Sequence, residues 1–164
     1  ETQSFRKDHI LIREGNTVDE FYFVLKGCLQ IYFTDHSENK NTIHFAIENW
    51  WITDNMAFEQ LAVTTFYIQA VEKSELAYIS QEDQEKLVAA FPTMERYFRF
   101  VYQRAYAAAQ MRIKYLFSLS KEQFYLDMLQ KYPHFVQRVP QYLIASFLGF
   151  TPEYLSEIRK RIIR

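Results

Sequence analysis

Hydrophobic positions follow two regimes along the chain. Up to residue 80 they come in short runs rich in β-branched and aromatic side chains, and beyond it they recur every three or four residues. Residues 21–25 (Phe21, Tyr22, Phe23, Val24, Leu25) form one such run, and residues 28–33, 42–47, 66–71 and 76–79 form others. Runs of this length and composition predict strands. Lys26-Gly27 predicts a tight turn in which Gly27 takes positive φ, and the polar residues 35–40 predict a hairpin loop. Several strands with no helix between them predict an antiparallel barrel or sandwich.

The period changes at Ser80. Ser80 with Asp83 three residues on has the form of a helix cap, Leu87, Val88 and Phe91 follow at helical spacing, and Pro92 closes that short helix. Residues 94–116 contain neither Gly nor Pro and place Met94, Phe98, Val101, Ala105 and Ala108 at alternating steps of four and three. This predicts a helix roughly 34 Å long with a narrow apolar seam. Tyr97, Tyr102, Ile113 and Leu116 widen its apolar surface, so the helix needs two partners: its own β-domain and, most simply, the same helix of a second subunit. Phe98, Val101, Ala105 and Ala108 are the expected dimer contacts. Ser120 with Gln123 predicts a second capped helix, to about residue 130 and stopped before Pro133.

The last segment carries the functional signal. Ala145 supplies a small residue where two helices cross, Gly149 the positive φ of a sharp turn, and Leu155 an apolar anchor for the following helix. Thr151 is placed to cap that second helix, with Pro152 in its first turn. The pattern predicts a helix-turn-helix. Residues 139–164 hold Arg159, Lys160, Arg161 and Arg164 against Glu153 and Glu157, a net of +2 in a chain whose formal charge is −1. Cations at the end of the second helix are placed to meet phosphates, though they also suit the helix dipole.

Composition narrows the class. With 164 residues, 49% of them hydrophobic, the chain has material for one core and a smaller satellite domain. No apolar run reaches the length of a membrane span and no secretion signal opens the chain, so a soluble cytoplasmic protein without membrane contact is expected. Because the first residue is Glu1, a trimmed chain or a fragment is also expected. The single cysteine, Cys28, falls short of an iron–sulfur ligand set, and the four scattered histidines, His9, His36, His44 and His134, give no support to haem. Histidine pairs of the kind a cupin-type metal site needs are missing, as are a nucleophile elbow, a P-loop and a dinucleotide fingerprint, so no enzyme is expected.

Residues 5–15 (Phe-Arg-Lys-Asp-His-Ile-Leu-Ile-Arg-Glu-Gly) and 21–27 (Phe-Tyr-Phe-Val-Leu-Lys-Gly), followed by the long helix and the terminal helix pair, resemble the Crp/Fnr transcription regulators over nearly the whole chain. Residues 48–54 (Glu-Asn-Trp-Trp-Ile-Thr-Asp) look most like the short Crp-like forms of Bacteroidetes. The resemblance implies an α+β protein. Its parts would be an antiparallel β jelly-roll barrel like the cyclic-nucleotide-binding domain (residues 1–92), a long dimerisation helix (93–117) and an all-α helix-turn-helix domain (118–164). It also implies a DNA-binding regulator that meets a palindromic operator as a homodimer and senses an unidentified small-molecule effector. DNA contacts would come from Thr151, Pro152, Glu153, Tyr154 and Glu157 at the reading turn and from Arg159, Lys160 and Arg161 on the backbone.

Two departures from the family qualify this. Members that bind cyclic nucleotides pair the cyclic phosphate with an Arg-Ser or Arg-Thr dipeptide after a Gly-Glu pair, whereas the matching positions here read Thr53-Asp54 and Thr64-Thr65. An effector pocket would then be lined by Asp54, Asn55, Thr64 and Thr65, and cyclic AMP would bind weakly or not at all, its phosphate lacking a guanidinium. The aromatic group Trp50, Trp51, Phe58, Phe66 and Tyr67 either stacks on an apolar ligand or fills the core. At the reading turn, Pro152, Glu153 and Glu157 stand where familiar members carry Arg, Glu and Arg, and the residues up to Arg164 leave no room for a wing hairpin, so a minimal or truncated DNA-binding half is expected. The alternative is a module of the same architecture that binds a protein or a small ligand instead of DNA.

Overall fold

The computed structural model of the chain describes residues 2–162. Contacts divide it into two units, Glu1–Val101 and Tyr102–Arg164. The first contains strands β1 (Thr2–Phe5), β2 (Ile10–Ile12), β3 (Glu20–Lys26), β4 (Leu29–Thr34), β5 (Lys40–Ala46), β6 (Trp51–Ile52), β7 (Tyr67–Ala70) and β8 (Ser74–Ser80). It also contains helices α1 (Asn55–Gln60) and α2 (Gln81–Ala90). The strands form two four-stranded antiparallel sheets, ordered β1-β8-β3-β6 and β2-β7-β4-β5.

Strand β3 shows why the run at residues 21–25 lacks polar alternation. Tyr22 and Val24 are buried on one side, with Tyr22 opposite Tyr78 of β8, while Phe21 packs on Trp51 and Phe58 at 4.7 and 5.4 Å between ring centroids. The part of a strand covered on both faces reads as continuously apolar, while Leu25, at the end of the run, is exposed. Each fully buried side chain of this size contributes about 1.5–3 kcal/mol relative to exposure. Strand β4 alternates instead: Leu29 and Ile31 join the core, and Gln30 and Tyr32 project to the other side. There Gln30 Nε2 donates to Gln69 Oε1 (3.1 Å), the Thr42 hydroxyl donates to Gln30 Oε1 (3.0 Å), and Tyr32 stacks on Tyr67 at 4.9 Å. The polar groups are buried but paired, which removes most of the desolvation cost.

One expectation for this region needs correction, because helix α1 interrupts the strand succession. Asp54 starts it as N-cap, its Oδ1 accepting from the Ala57 N–H (3.3 Å). The helix ends at Leu61, which adopts the left-handed conformation (φ 47°), unusual for a side chain larger than Gly.

Helix α3 (Thr93–Ser118) spans the division between the units. The second unit continues with α4 (Lys121–Lys131), α5 (Pro133–Arg138), α6 (Gln141–Leu148) and α7 (Pro152–Ile162). The Ser120/Gln123 capping box is fully formed, and Ser80 caps α2 through the Asp83 N–H. Past the expected stop, Pro133 opens α5, since a proline at the first helical position gives up no needed N–H. Phe124, Tyr125, Leu143, Ile144, Leu148, Leu155 and Ile158 are buried in this unit.

Candidate effector pocket and nucleic-acid interface

In the first unit, Asp54 and Thr64 meet directly. The buried Thr64 hydroxyl donates to Asp54 Oδ2 (2.7 Å) and accepts from the Phe66 N–H (3.0 Å), while Asp54 Oδ1 caps α1. Both carboxylate oxygens and the hydroxyl are therefore committed to the fold. Asn55 and Thr65 are exposed. None of these four side chains is cationic, and a cyclic phosphate set against this pair would meet a carboxylate. The residues do not fit a cyclic nucleotide held by an arginine. Of the aromatic group, Phe58 is buried at α1, and Trp51 packs on Phe21, Phe23 and Phe98 with its Nε1 donating to the Tyr97 hydroxyl (2.8 Å).

In the second unit the turn between α6 and α7 is built as the spacing of Ala145, Gly149 and Leu155 suggested. Gly149 has φ 72°, and its N–H and that of Phe150 bond back to Ser146 O (3.1 Å) and Ala145 O (2.8 Å), a Schellman pair. The Thr151 hydroxyl accepts from the Tyr154 N–H (3.2 Å), and Pro152 begins α7. Leu155 and Ile158 anchor α7 inward. Helical spacing then puts Glu153, Glu157 and Lys160 together on the opposite, exposed face. Tyr154 lies beside Phe150, ring centroids 5.4 Å apart.

Arg159 and Arg161 are also exposed, but helical spacing places them to either side of this face. Arg161 Nη2 is 3.2 Å from Glu122 Oε2. Arg159 borders a cleft of about 570 Å³ shared with Tyr125, Leu129, Val136, Val139 and Ile162. Burial pushes the Tyr125 hydroxyl above its ordinary pKa, and the nearby Arg159 charge partly opposes that rise. Arg164 lies outside the described residues.

On α3, Phe98 is only 5% exposed and packs on Trp51 at 5.7 Å, within its own unit. Val101, Ala105 and Ala108 continue that row, all half-buried, followed by Arg112 and Tyr115, which pack on Phe147 and Phe124 of the second unit. A neighbouring row with the same four-three spacing, Tyr102, Tyr106, Ala109, Ile113 and Leu116, is exposed throughout.

A feature that the sequence reading missed is the segregation of charge. Residues 102–164 hold ten basic against four acidic side chains, a net of +6, and residues 1–101 hold nine against sixteen, a net of −7. Counting charge by halves, instead of over the last 26 residues alone, would have found it. No helix among the described residues is long and apolar enough to cross a membrane.

Comparison with known proteins agrees with this geometry. The family model described as the cyclic nucleotide-binding domain matches residues 2–91. Among solved structures, FixK2 from Bradyrhizobium japonicum is similar with a TM-score of 0.79 at 16% identity, over 99% of this chain and 83% of that one. The c-di-GMP-responsive global regulator CLP of Xanthomonas campestris gives 0.78 at 16% identity, over 99% and 86%. A CRP/FNR-family transcriptional regulator from Thermus thermophilus gives 0.74 at 16% identity, over 100% and 86%. At such identities the likeness establishes the fold. No protein of curated function matches the sequence. Residues 2–91 hold both sheets together with α1 and α2, and over that stretch the chain belongs to the cyclic nucleotide-binding domain family.

Proposed function

We propose that the protein is a DNA-binding transcription regulator of the Crp/Fnr type, a soluble cytoplasmic homodimer related to the short Crp-like regulators of Bacteroidetes. The observation that carries this reading is the +6 charge of residues 102–164 around a capped helix pair, α6 and α7, in a chain of net −1. A basic unit draws a polyanion by releasing its counterions, and a helix whose inward side is fixed by Leu155 and Ile158 is free to lay the other side in a groove. Thr151, Pro152, Glu153, Tyr154 and Glu157 form the reading turn, and Lys160 is the cation on the same face. The jelly-roll sensor would bias α3, but its effector is not a cyclic nucleotide held by the usual phosphate contact, given the Asp54–Thr64 pair.

The homodimer forms along α3. The exposed row Tyr102, Tyr106, Ala109, Ile113 and Leu116 supports it, with Ala105 and Ala108 at its margin. Phe98, already buried in its own core, contributes little.

A second reading, a protein-binding module of the same architecture, draws on the outward face of α7. Two carboxylates, Glu153 and Glu157, stand there against one lysine. Titrating a fluorescent random-sequence duplex at several salt concentrations separates the two. A regulator gives a log–log slope steeper than about −2, since each neutralised phosphate adds roughly −0.9. Absence of binding at low salt would leave the protein-binding module.

A further inference from the structure

We propose that Arg112 of α3 and Lys121 of α4 clamp the turn between α6 and α7, so that they act as positioning residues for α7. The inference rests on the DNA-binding reading above and concerns how that surface is held.

The Schellman pair at the end of α6 uses the carbonyls of Ala145 and Ser146, and side chains from two other helices reach carbonyls further along the turn. Arg112 Nη2 donates to Phe147 O (3.0 Å), and its guanidinium carbon lies 4.6 Å from the centre of the Phe147 ring. Lys121 Nζ donates to Gly149 O (2.9 Å) and lies 5.7 Å from the centre of the Phe150 ring. Two cations from two different helices therefore hold carbonyls two residues apart, on the turn that sets the direction of α7. They also sit at the negative end of the α6 dipole, where positive charge is favoured.

Arg112 is an expensive way to fill this place. Burial pulls its guanidinium below its ordinary pKa, and its Nε is buried with no acceptor among the described residues. A methionine would cover the same path along the helix without either penalty, though with a shorter side chain. What the arginine adds is a directed bond from the long helix to the turn. Any displacement of the last turns of α3 then carries the start of α7 with it.

The test uses the full chain with Arg112→Met, Lys121→Met and, as the conservative control, Arg112→Lys. Amide exchange is followed without DNA at Gly149 and Phe150 and, for reference, at Phe124 and Tyr125 in α4. The clamp predicts exchange at least tenfold faster at the turn for both methionine variants, unchanged rates at the reference amides, and partial recovery in Arg112→Lys. Unchanged exchange at the turn, or acceleration equal at all four amides, would overturn it, the latter meaning plain loss of stability.

The second arm measures affinity for a site selected by the wild type from a random duplex pool. Each methionine variant is expected to lose at least tenfold in the ratio of selected to random binding, with the salt slope on random duplex unchanged. A slope that falls by about one unit would show a direct phosphate contact and overturn the positioning role. If the wild type binds no DNA, the regulator reading fails while the exchange arm still decides the clamp.

Discussion

At the scale of single residues, the β-domain depends on a few positions where no other side chain fits. Gly27 joins β3 to β4 at φ 109°, and a Cβ placed there would lie 2.7 Å from Ser74 Cα, with the Ser74 side chain closer still. Gly27→Ala therefore combines backbone strain with a clash against main chain. We expect a loss of roughly 3 kcal/mol or more in urea unfolding, and a loss below about 1 kcal/mol would contradict this geometry. Asp54 and Thr64 make the opposite point, since each had the character of a ligand contact in sequence and is a structural partner in the fold. Thr64→Arg brings a guanidinium to the Asp54 carboxylate, which it will pair with in preference to a phosphate. The variant should bind cyclic AMP no more tightly than about 1 mM by calorimetry; micromolar binding would show that the carboxylate yields to the nucleotide.

At the scale of elements, what was legible in sequence were the local signals. Ser80, Ser120 and Thr151 cap the helices they precede, and Gly149 takes the left-handed turn, because each of these roles is decided within three or four residues of chain. Helix α1 was not legible. Asp54 marks its start, but an aspartate beside polar neighbours signals a ligand contact equally well, and the choice is made by Thr64, ten positions away. The register of α3 was ambiguous for a similar reason. Phe98, Val101, Ala105 and Ala108 share their four-three spacing with Tyr102, Tyr106, Ala109 and Ile113, and only Trp51, packed on Phe98, decides which row faces inward. If the proposed homodimer forms along the exposed row, Ile113→Glu should convert it to monomer in light scattering, because it would bury an unpaired charge in each subunit. A dimer that persists would remove this row from the interface. The β4–β5 hairpin gives a pH prediction. Asp35 accepts from the N–H groups of Asn39 (3.0 Å) and Ser37 (2.9 Å) and from the side chains of Asn39 and Asn41, and these bonds, the Asn39 N–H foremost, hold its carboxyl below the ordinary pKa. A depressed folded pKa stabilises the fold fully above the unfolded value, near 3.9, and that contribution is lost as pH falls through the folded value. The stability difference between wild type and Asp35→Asn should be constant above about pH 5 and shrink below about pH 4; a difference independent of pH down to about 2 would rule out the role.

At the scale of the whole molecule, charge and surface have to be weighed together. The +6 of residues 102–164 supplies general attraction to a polyanion, yet the outward face of α7 carries Glu153 and Glu157 beside Lys160, while Arg161 is tied to Glu122 and Arg159 borders the cleft. In the proposed regulator, attraction and reading would thus fall to different residues. Carboxylates in a major groove are repelled by phosphates and favoured only by base donors, of which the cytosine N4 amine is the clearest. Lys160→Gln should weaken selected and random duplexes alike and flatten the salt slope by about one unit. Glu153→Gln should change which base is preferred at one position, by about 1–3 kcal/mol, and leave the slope alone. Glu157→Lys discriminates between a residue that reads and one that only repels. If it only repels, the variant binds both kinds of duplex more tightly, with a steeper slope. If it reads a base, affinity for the selected site falls while random binding rises. We expect the second result, because a carboxylate that merely opposed the backbone would reduce every mode of binding that the basic unit provides. A uniform gain in competition anisotropy across selected and random sequences would show instead that specificity resides in Glu153 and Thr151 alone.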